Sequence, residues 1–236
     1  YEGNGSSGHS INGGKFGAGV FGRQTTSRVT TNYTQANGVE LTWSFWVFAQ
    51  PISGIDTVIG AGTQFVIGLE ANKLYPFING SNRGAGTSIT TNTWHHFAIT
   101  YNGSGTTQVY KDGSLDVTVT GHTPTSMGTI KLFDSDETAW GVLEGKIDQL
   151  RIFQKVLSSS EISTLYAETA ATVESLDPLS EDTTDTLQVL GDSSCVATYR
   201  FENNEDDLSG NYNGTGTQIQ YAAGRYGQAA SFNGSS

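Results

Sequence analysis

The residues best suited to metal chemistry lie in one short acidic segment. Asp134, Asp136 and Glu137 fall within FDSDET, between two predicted strands, and Trp140 follows closely. Calcium prefers several carboxylate and carbonyl oxygens, so this loop is a candidate calcium site with the three acidic side chains as ligands. The alternative is a solvated acidic loop without a metal, because clustered surface acids are often no more than that. The sequence leaves both interpretations open.

Aromatic side chains beside polar turns are a second candidate for chemistry. A sugar packs against an aromatic ring while polar groups bind its hydroxyls. Trp140, Tyr75 and Tyr101 stand in predicted loops or at predicted strand ends, and Asn82 closes an asparagine-rich turn that begins at Asn79. We take Trp140, Tyr75, Tyr101 and Asn82 as candidate ligand-binding residues. The alternative is that these rings cover the edges of the core, as Trp and Tyr often do.

Arrangements typical of catalysis are not found in the sequence. Glycoside hydrolysis needs two carboxylates that flank the sugar, whereas Glu137 and Glu144 are separated by a predicted turn. His95 and His96 are neighbours in a predicted strand, so their side chains point to opposite faces and cannot form one site. No serine stands in a nucleophile-elbow motif. We therefore expect a protein that binds a ligand and is not an enzyme.

The charge and cysteine content exclude several classes of partner. The net charge is −11, and a nucleic-acid-binding protein would need a basic face, so nucleic acid is excluded. No stretch is long and apolar enough to insert into a membrane. Cys195 is the single cysteine, so no intramolecular disulfide can form, which argues against a disulfide-bonded animal ectodomain. Residues 168–193 are acidic and hold no Lys or Arg, which is typical of a solvated linker.

Short strands with turn signals make up most of the chain. Residues 39–50, VELTWSFWVFAQ, give the strongest strand signal, with alternate residues apolar and both faces apolar toward the end. The pattern predicts further strands at 56–60, 64–69, 73–79, 94–101, 108–111, 115–119, 130–133 and 146–153. Ser158 and Glu161 have the spacing of a capping box, which predicts a helix over 158–167 with Ile162, Leu165 and Tyr166 toward the sandwich. We expect an all-β, two-sheet antiparallel jelly-roll sandwich with one short helix.

An internal repeat divides the chain. GGKFGAGVFG at residues 13–22 matches AGRYGQAASFNG at residues 223–234. We therefore expect one sandwich over residues 1–167 that lacks its first strand, an acidic linker over 168–193, and the opening strands of a second repeat over 194–236. Alternatively, the strand at 196–201 is donated to the first sandwich, in the place of its missing strand.

Four segments carry a family resemblance: LTWSFWVFAQ, NTWHHFAITYNGSGTTQVYKDGSL, GKIDQLRIFQKVLSSSEISTLY and VATYRFENNEDDLSGNYNGTG with the later GRYGQAASFNG. Together they resemble the laminin G-like, or concanavalin A-like lectin/glucanase, superfamily, and within it the tandem bacterial or phage type. The resemblance implies packing roles for Trp43 and Trp94, and a role for Asp148 in fixing the last strand of the unit to a loop.

For function, the resemblance implies a non-catalytic module that binds a glycan or a cell-surface polymer, in an adhesin or a phage fibre protein. The alternative is a structural spacer or decoration module, held by contacts with neighbouring modules or subunits of the same assembly. Either interpretation places the protein outside the cell, at the cell surface or in a virion. The fold alone does not decide between them, since one fold hosts many functions.

Overall fold

The computed structural model describes residues 28–52, 54–133, 141–168, 194–225 and 227–233. The strands are β1 (Arg28–Thr34), β2 (Glu40–Ala49), β3 (Ile55–Ala61), β4 (Phe65–Glu70), β5 (Lys73–Ile78), β6 (Ser81–Asn82), β7 (Trp94–Asn102), β8 (Thr107–Lys111), β9 (Ser114–Val119), β10 (Thr129–Leu132), β11 (Gly141–Val142), β12 (Glu144–Phe153), β13 (Cys195–Tyr199), β14 (Thr215–Thr217), β15 (Gln220–Ala223) and β16 (Gln228–Asn233). The helix α1 spans Ser159–Ala167.

The described strands form two sheets of eight strands each. The first has the order β14-β1-β10-β3-β4-β5-β6, with β11 beside β3. The second has the order β15-β16-β12-β2-β7-β8-β9, with β13 also paired to β12. Among the described pairings, only the short β11–β3 pair is parallel. The predicted antiparallel two-sheet sandwich with one short helix is thereby confirmed.

Strand β2 shows how alternation in the sequence sorts side chains onto two faces. It lies between β7 and β12 in the middle of the second sheet. One face contributes four fully buried side chains to the core between the sheets: Leu41, Trp43, Phe45 and Val47. Because successive residues of a strand point to opposite faces, Trp46 and Phe48 lie on the outer face of this sheet.

The core between the sheets is rich in aromatic rings. The Trp43 and Phe65 rings meet edge to face with centroids 5.2 Å apart, and Phe65 lies 5.7 Å from Tyr101. Phe133 stacks on Phe232 at 3.5 Å. Burial of each such side chain contributes roughly 1.5–3 kcal/mol to folding, so these contacts fix the two sheets face to face.

Helix α1 packs on the outer face of the second sheet. Its N-terminus has the predicted capping box, in which Ser158 accepts a hydrogen bond from the Glu161 backbone N–H and the Glu161 carboxylate accepts one from the Ser158 N–H. Ile162 and Leu165 are buried as expected, whereas Tyr166 remains 40% exposed. The helix therefore ends with an aromatic ring at the edge of its contact with the sheet.

The segment over residues 194–233 takes part in both sheets. Strand β13 pairs with Leu150–Phe153 of β12, and β16 pairs with Glu144–Ile147 of the same strand. Strand β14 pairs with β1 in the opposite sheet. The N-terminal copy of the repeat and nearly all of the acidic linker lie outside the described residues, and the assignment of 194–236 to a second repeat stays a prediction.

Candidate functional site

An open cavity of about 720 Å³ lies on the outer face of the second sheet. Its described lining includes four aromatic side chains from β2, β7 and α1: Trp46, Phe48, Trp94 and Tyr166. The polar side chains of its lining include Asn92, His95, Asp112 and Arg225. We call this surface the aromatic concavity.

The rings of the aromatic concavity have different exposure. Trp46 is only 4% exposed, and Tyr166 stacks beside it with centroids 5.8 Å apart and an interplanar angle of 26°. Phe48 and Trp94 are half-buried neighbours across the β2–β7 pair, with centroids also 5.8 Å apart. Trp46 therefore lies at the base, while the other rings present part of their surface to solvent.

Two cations lie over the rings at one side. The Arg225 guanidinium lies 4.8 Å from the Trp46 ring centroid, and the Lys146 ammonium lies 5.5 Å from that of Phe48. The contact of Lys146 with Phe48 follows from the β12–β2 register, which places the two residues opposite each other. Such cation–π contacts are worth roughly 0.5–2 kcal/mol, so they help to hold the base of the site.

The polar rim is organised around the Asp112-Gly113 turn between β8 and β9. His95 Nδ1 donates a hydrogen bond to Asp112 Oδ2 at 2.8 Å, and the His96 backbone N–H donates to Asp112 Oδ1 at 3.0 Å. Partial burial raises the pKa of Asp112, but the hydrogen bonds from His95 and His96, together with the charges of His95 and Lys111, outweigh burial and lower the pKa. Asp112 therefore presents a negative charge beside the rings.

A buried ion pair supports the end of α1. Arg151 Nη1 lies 2.7 Å from Glu168 Oε2, and the two side chains are only 3% and 7% exposed. Glu168 follows α1 directly, so the pair ties the end of the helix to β12. Since breaking a buried pair is costly, the position of Tyr166 over Trp46 is well defined.

The residues predicted for ligand binding are not brought together. Tyr75 is half-buried on β5 with its ring 6.1 Å from that of Phe77, and Asn82 is exposed on the neighbouring β6. The prediction for Tyr101 is wrong, because this residue is fully buried between the sheets and its ring cannot reach a ligand at the surface. Trp140 lies outside the described residues.

The predicted calcium ligands Asp134, Asp136 and Glu137 also lie outside the described residues, and calcium binding stays a prediction. The chain returns from this loop at β11, which pairs with β3 at Asp56. Burial, and then the charge of Glu144, raise the pKa of Asp56 to about 6. Within the described ranges, no group of three or more His, Cys, Asp or Glu side chains could hold a metal ion.

A serine–histidine pair lies under the aromatic concavity without the features of a nucleophile. Ser44 Oγ is 2.9 Å from His96 Nε2, but both residues are only 1% exposed. Burial, and then the charge of Arg151, lower the pKa of His96 to about 3. Asp112 bonds to the His95 side chain, and among the described residues His96 Nδ1 has no hydrogen-bond partner.

Sequence reasoning missed the aromatic concavity as a site. Trp94 was expected to pack in the core, but it lies half-buried on the outer face, because it pairs with Phe48 rather than with an inward-facing residue. The available signal was the apolar character of both faces of β2 after Ser44, where Trp46 and Phe48 interrupt a polar face.

The fold and the family agree. Residues 23–163 match the model of the Laminin_G_3 family, described as the concanavalin A-like lectin/glucanases superfamily. The match covers more than half of the chain, so the protein belongs to this family. Comparison with curated protein sequences finds no match. No helix in the described part of the chain is long and apolar enough to span a membrane.

Solved structures with similar folds are distant in sequence. A proposed carbohydrate-binding protein from Bacteroides ovatus is 15% identical with a TM-score of 0.59, and the match covers 84% of this chain and 58% of that one. The binding domain of Paraclostridial Mosquitocidal Protein 1 is 18% identical with a TM-score of 0.51, over 67% and 45% of the two chains. A pentraxin from Limulus polyphemus is 18% identical with a TM-score of 0.49, over 61% and 79%. The chain thus spans less than two thirds of the first two proteins, and the likeness to these two shows the fold alone.

Proposed function

We propose that the protein is a non-catalytic carbohydrate-binding module and that the aromatic concavity binds the sugar. The observation that carries the proposal is the combination of four aromatic side chains with hydrogen-bonding groups around one open cavity. A sugar ring has apolar C–H faces and a rim of hydroxyls, so it needs both kinds of surface at once.

The rim supplies complementary partners for sugar hydroxyls. Asp112 accepts hydrogen bonds, Arg225 donates them, and exposed Asn92 does both. Charges of both signs stand around the rings, which favours a neutral, hydroxyl-rich ligand over a polyanion. The net charge of −11 also speaks against phosphate-rich partners.

The acidic groups at the concavity favour binding without hydrolysis. Glycosidases need two carboxylates that flank the scissile bond. Of the described carboxylates that line the concavity, Glu168 is paired with Arg151 below the surface and Asp112 is held by His95. The Ser44–His96 pair is too deeply buried to meet a substrate. These placements support a binding role.

The likeness to the Bacteroides ovatus protein supports a carbohydrate ligand. On this basis we extend the proposal to a glycan or cell-surface polymer as partner, an adhesin or phage fibre as parent protein, and a location outside the cell, at its surface or in a virion. The Asp134, Asp136 and Glu137 loop is proposed to hold calcium in that setting. Carboxylate oxygens suit this ion, and the half-buried Asp56 is paired with the strand that follows the loop.

A structural spacer or decoration module is the second candidate function. The observation that favours it is the pairing of residues from the C-terminal repeat with both sheets. Contacts of this kind can join modules into an array without any glycan.

A glycan-array screen of the full chain, run once with calcium and once with EDTA, tests these alternatives. We expect reproducible hits with calcium. Loss of the hits in EDTA supports the calcium loop, and their survival removes the metal from the proposal while keeping the lectin function. A blank array with folded protein would contradict carbohydrate binding and favour the structural candidate.

A further inference from the structure

The turn that contains Gly224, Arg225 and Gly227 is held tightly against the second sheet. Residues 224–227 have the sequence Gly-Arg-Tyr-Gly, and the Gly224 N–H donates a hydrogen bond to the Gly227 carbonyl at 2.9 Å. Residues 14–17 have the matching sequence Gly-Lys-Phe-Gly. The chain therefore holds two copies of a glycine–basic–aromatic–glycine motif.

Three residues of the first repeat hold this turn. Asp148 Oδ2 accepts a hydrogen bond from the Arg225 backbone N–H at 2.7 Å. Lys146 Nζ donates to the Ala223 carbonyl at 3.2 Å, and the Arg225 guanidinium lies over Trp46. We call Trp46, Lys146 and Asp148 the repeat dock. It binds backbone groups and a cation, so lysine can take the place of arginine in the motif.

The geometry also requires both glycines of the motif. A Cβ atom at position 224 would lie within 2.4 Å of Asp148 Oδ2 and 2.5 Å of the Gln228 carbonyl oxygen. Position 227 has a φ of +59°, and its Cβ would meet the Glu202 carboxylate. The repeat dock therefore accepts a glycine at the first position of the motif, and the turn itself requires one at the last.

The segment that carries the motif covers one edge of β12 and completes the core. Strands β13 and β16 divide that edge between them. Tyr199, Phe201 and Phe232 from this segment are at most 3% exposed within the core. Without this segment, β12 would expose an unpaired strand edge, which tends to pair with another chain, and the core would lose part of its apolar contacts. This surface therefore needs an occupant.

The connection to the first repeat does not fix which chain supplies the occupant. Residues 169–193 join α1 to the segment, and a chain of that length reaches roughly 80 Å when extended. The same covalent link is therefore compatible with a segment from the same chain or from a neighbouring copy, as in domain swapping.

We propose that the repeat dock and the edge of β12 form an exchange site for the opening segment of a laminin G-like repeat. The site binds a glycine–basic–aromatic–glycine segment together with its flanking strands, and a second copy of this chain can supply it. Successive repeats, or separate chains, are then linked by donated strands. The proposal does not require glycan binding, because it depends only on protein–protein contacts, although Trp46 and Arg225 also line the aromatic concavity.

The test uses the full chain with a specific protease site inserted after residue 180. The cleaved protein is unfolded in denaturant and refolded by dilution with an excess of fluorescent peptide that spans residues 194–236. Size-exclusion chromatography then measures how much label elutes with the large fragment. Refolding avoids the slow dissociation of a fragment that is already bound in the folded protein. The unlabelled C-terminal fragment released by cleavage competes with the labelled peptide for the same site.

We expect the labelled peptide to replace the unlabelled fragment in proportion to its excess. A peptide with Gly224→Ala is expected to be incorporated at least tenfold less. A peptide with Thr217→Ala, at an exposed position of β14, is the matched control and should behave as the unmodified peptide does. Failure of the refolded protein to take up the unmodified peptide, or equal uptake of the Gly224→Ala peptide, would overturn the proposal.

Discussion

The guanidinium group of Arg225 lies 4.8 Å from the ring centroid of Trp46, although the two residues belong to opposite ends of the described chain. Arg225 lies between β15 and β16, near the C-terminal end of the described chain, and Trp46 lies in the middle of the second sheet. One wall of the aromatic concavity is therefore built by the segment that occupies the repeat dock. Ligand binding and repeat docking share a residue pair.

Arg225→Gln separates these two roles. Glutamine keeps the backbone N–H that binds Asp148, but it loses the cation over Trp46 and the fork of donors at the rim. We expect ligand affinity to fall about three- to tenfold, while the melting temperature falls by only a few degrees, as loss of one cation–π contact implies. Calorimetric titration beside thermal melting measures both. A large loss of stability with unchanged affinity would show that Arg225 serves docking alone.

Tyr166→Ala tests the ring that closes the concavity at the end of α1. Its partly exposed ring stacks on Trp46. An aromatic contact between this ring and the sugar would contribute about 1 kcal/mol to the free energy of binding. We expect affinity for the glycan to fall at least fivefold, as measured by titration calorimetry. Leu115→Ala is the control, because this side chain is 52% exposed and lies outside the described lining of the concavity. Equal losses for both variants would contradict the assignment of Tyr166.

Much of the fold was predictable, because it depends on local pattern. Alternation over residues 39–50 identified β2 and its inward face correctly. Asp112-Gly113, with left-handed φ values of +48° and +78°, forms the tight turn that the sequence indicates. The capping box at Ser158 fixed the start of α1. Each of these signals lies within a few residues of the element it predicts.

The candidate site was much harder to predict, because it depends on register between distant strands. Trp94 belongs to the concavity only because β7 pairs with β2 so that it faces Phe48. Tyr101 lies at the other end of β7, an odd number of residues from Trp94, so its side chain points to the opposite face of the sheet, into the core. Arg225 enters the site from the segment between β15 and β16, far along the chain, and no local pattern indicates that contact.

Burial of His96 predicts a loss of stability in mild acid. Its pKa is lowered to about 3, mainly by burial, while the unfolded chain binds the proton near the ordinary value of 6.5. Since the unfolded state then holds more protons, stability is full above pH 6.5 and falls as the pH drops toward 3. The slope approaches about 1.4 kcal/mol per pH unit.

Urea unfolding at several values between pH 7.5 and pH 5 measures this dependence, with His96→Gln as the comparison. The variant should show a flatter profile, whatever its absolute stability. Identical slopes for the variant and the wild-type protein would mean that His96 does not cause the pH dependence.

Gly227→Ala tests the turn of the motif by a stability measurement. Position 227 combines a left-handed φ with a Cβ that would meet the Glu202 carboxylate. We expect the free energy of unfolding to fall by about 1–3 kcal/mol. Gly54→Ala is the matched control, because nothing lies within 4 Å of its Cβ and its φ is not left-handed. A Gly227→Ala protein as stable as this control would show that the turn tolerates a side chain.

The most direct test of the proposed function is calorimetric titration of one array-positive oligosaccharide into the wild-type protein, Trp94→Ala and Tyr75→Ala. Both substitutions remove a half-buried aromatic ring, one in the aromatic concavity and the other on the first sheet. We predict that Trp94→Ala weakens binding at least tenfold while Tyr75→Ala binds as the wild-type protein does. Unchanged binding by Trp94→Ala, or loss of binding in Tyr75→Ala alone, would contradict the assignment of the aromatic concavity as the carbohydrate site.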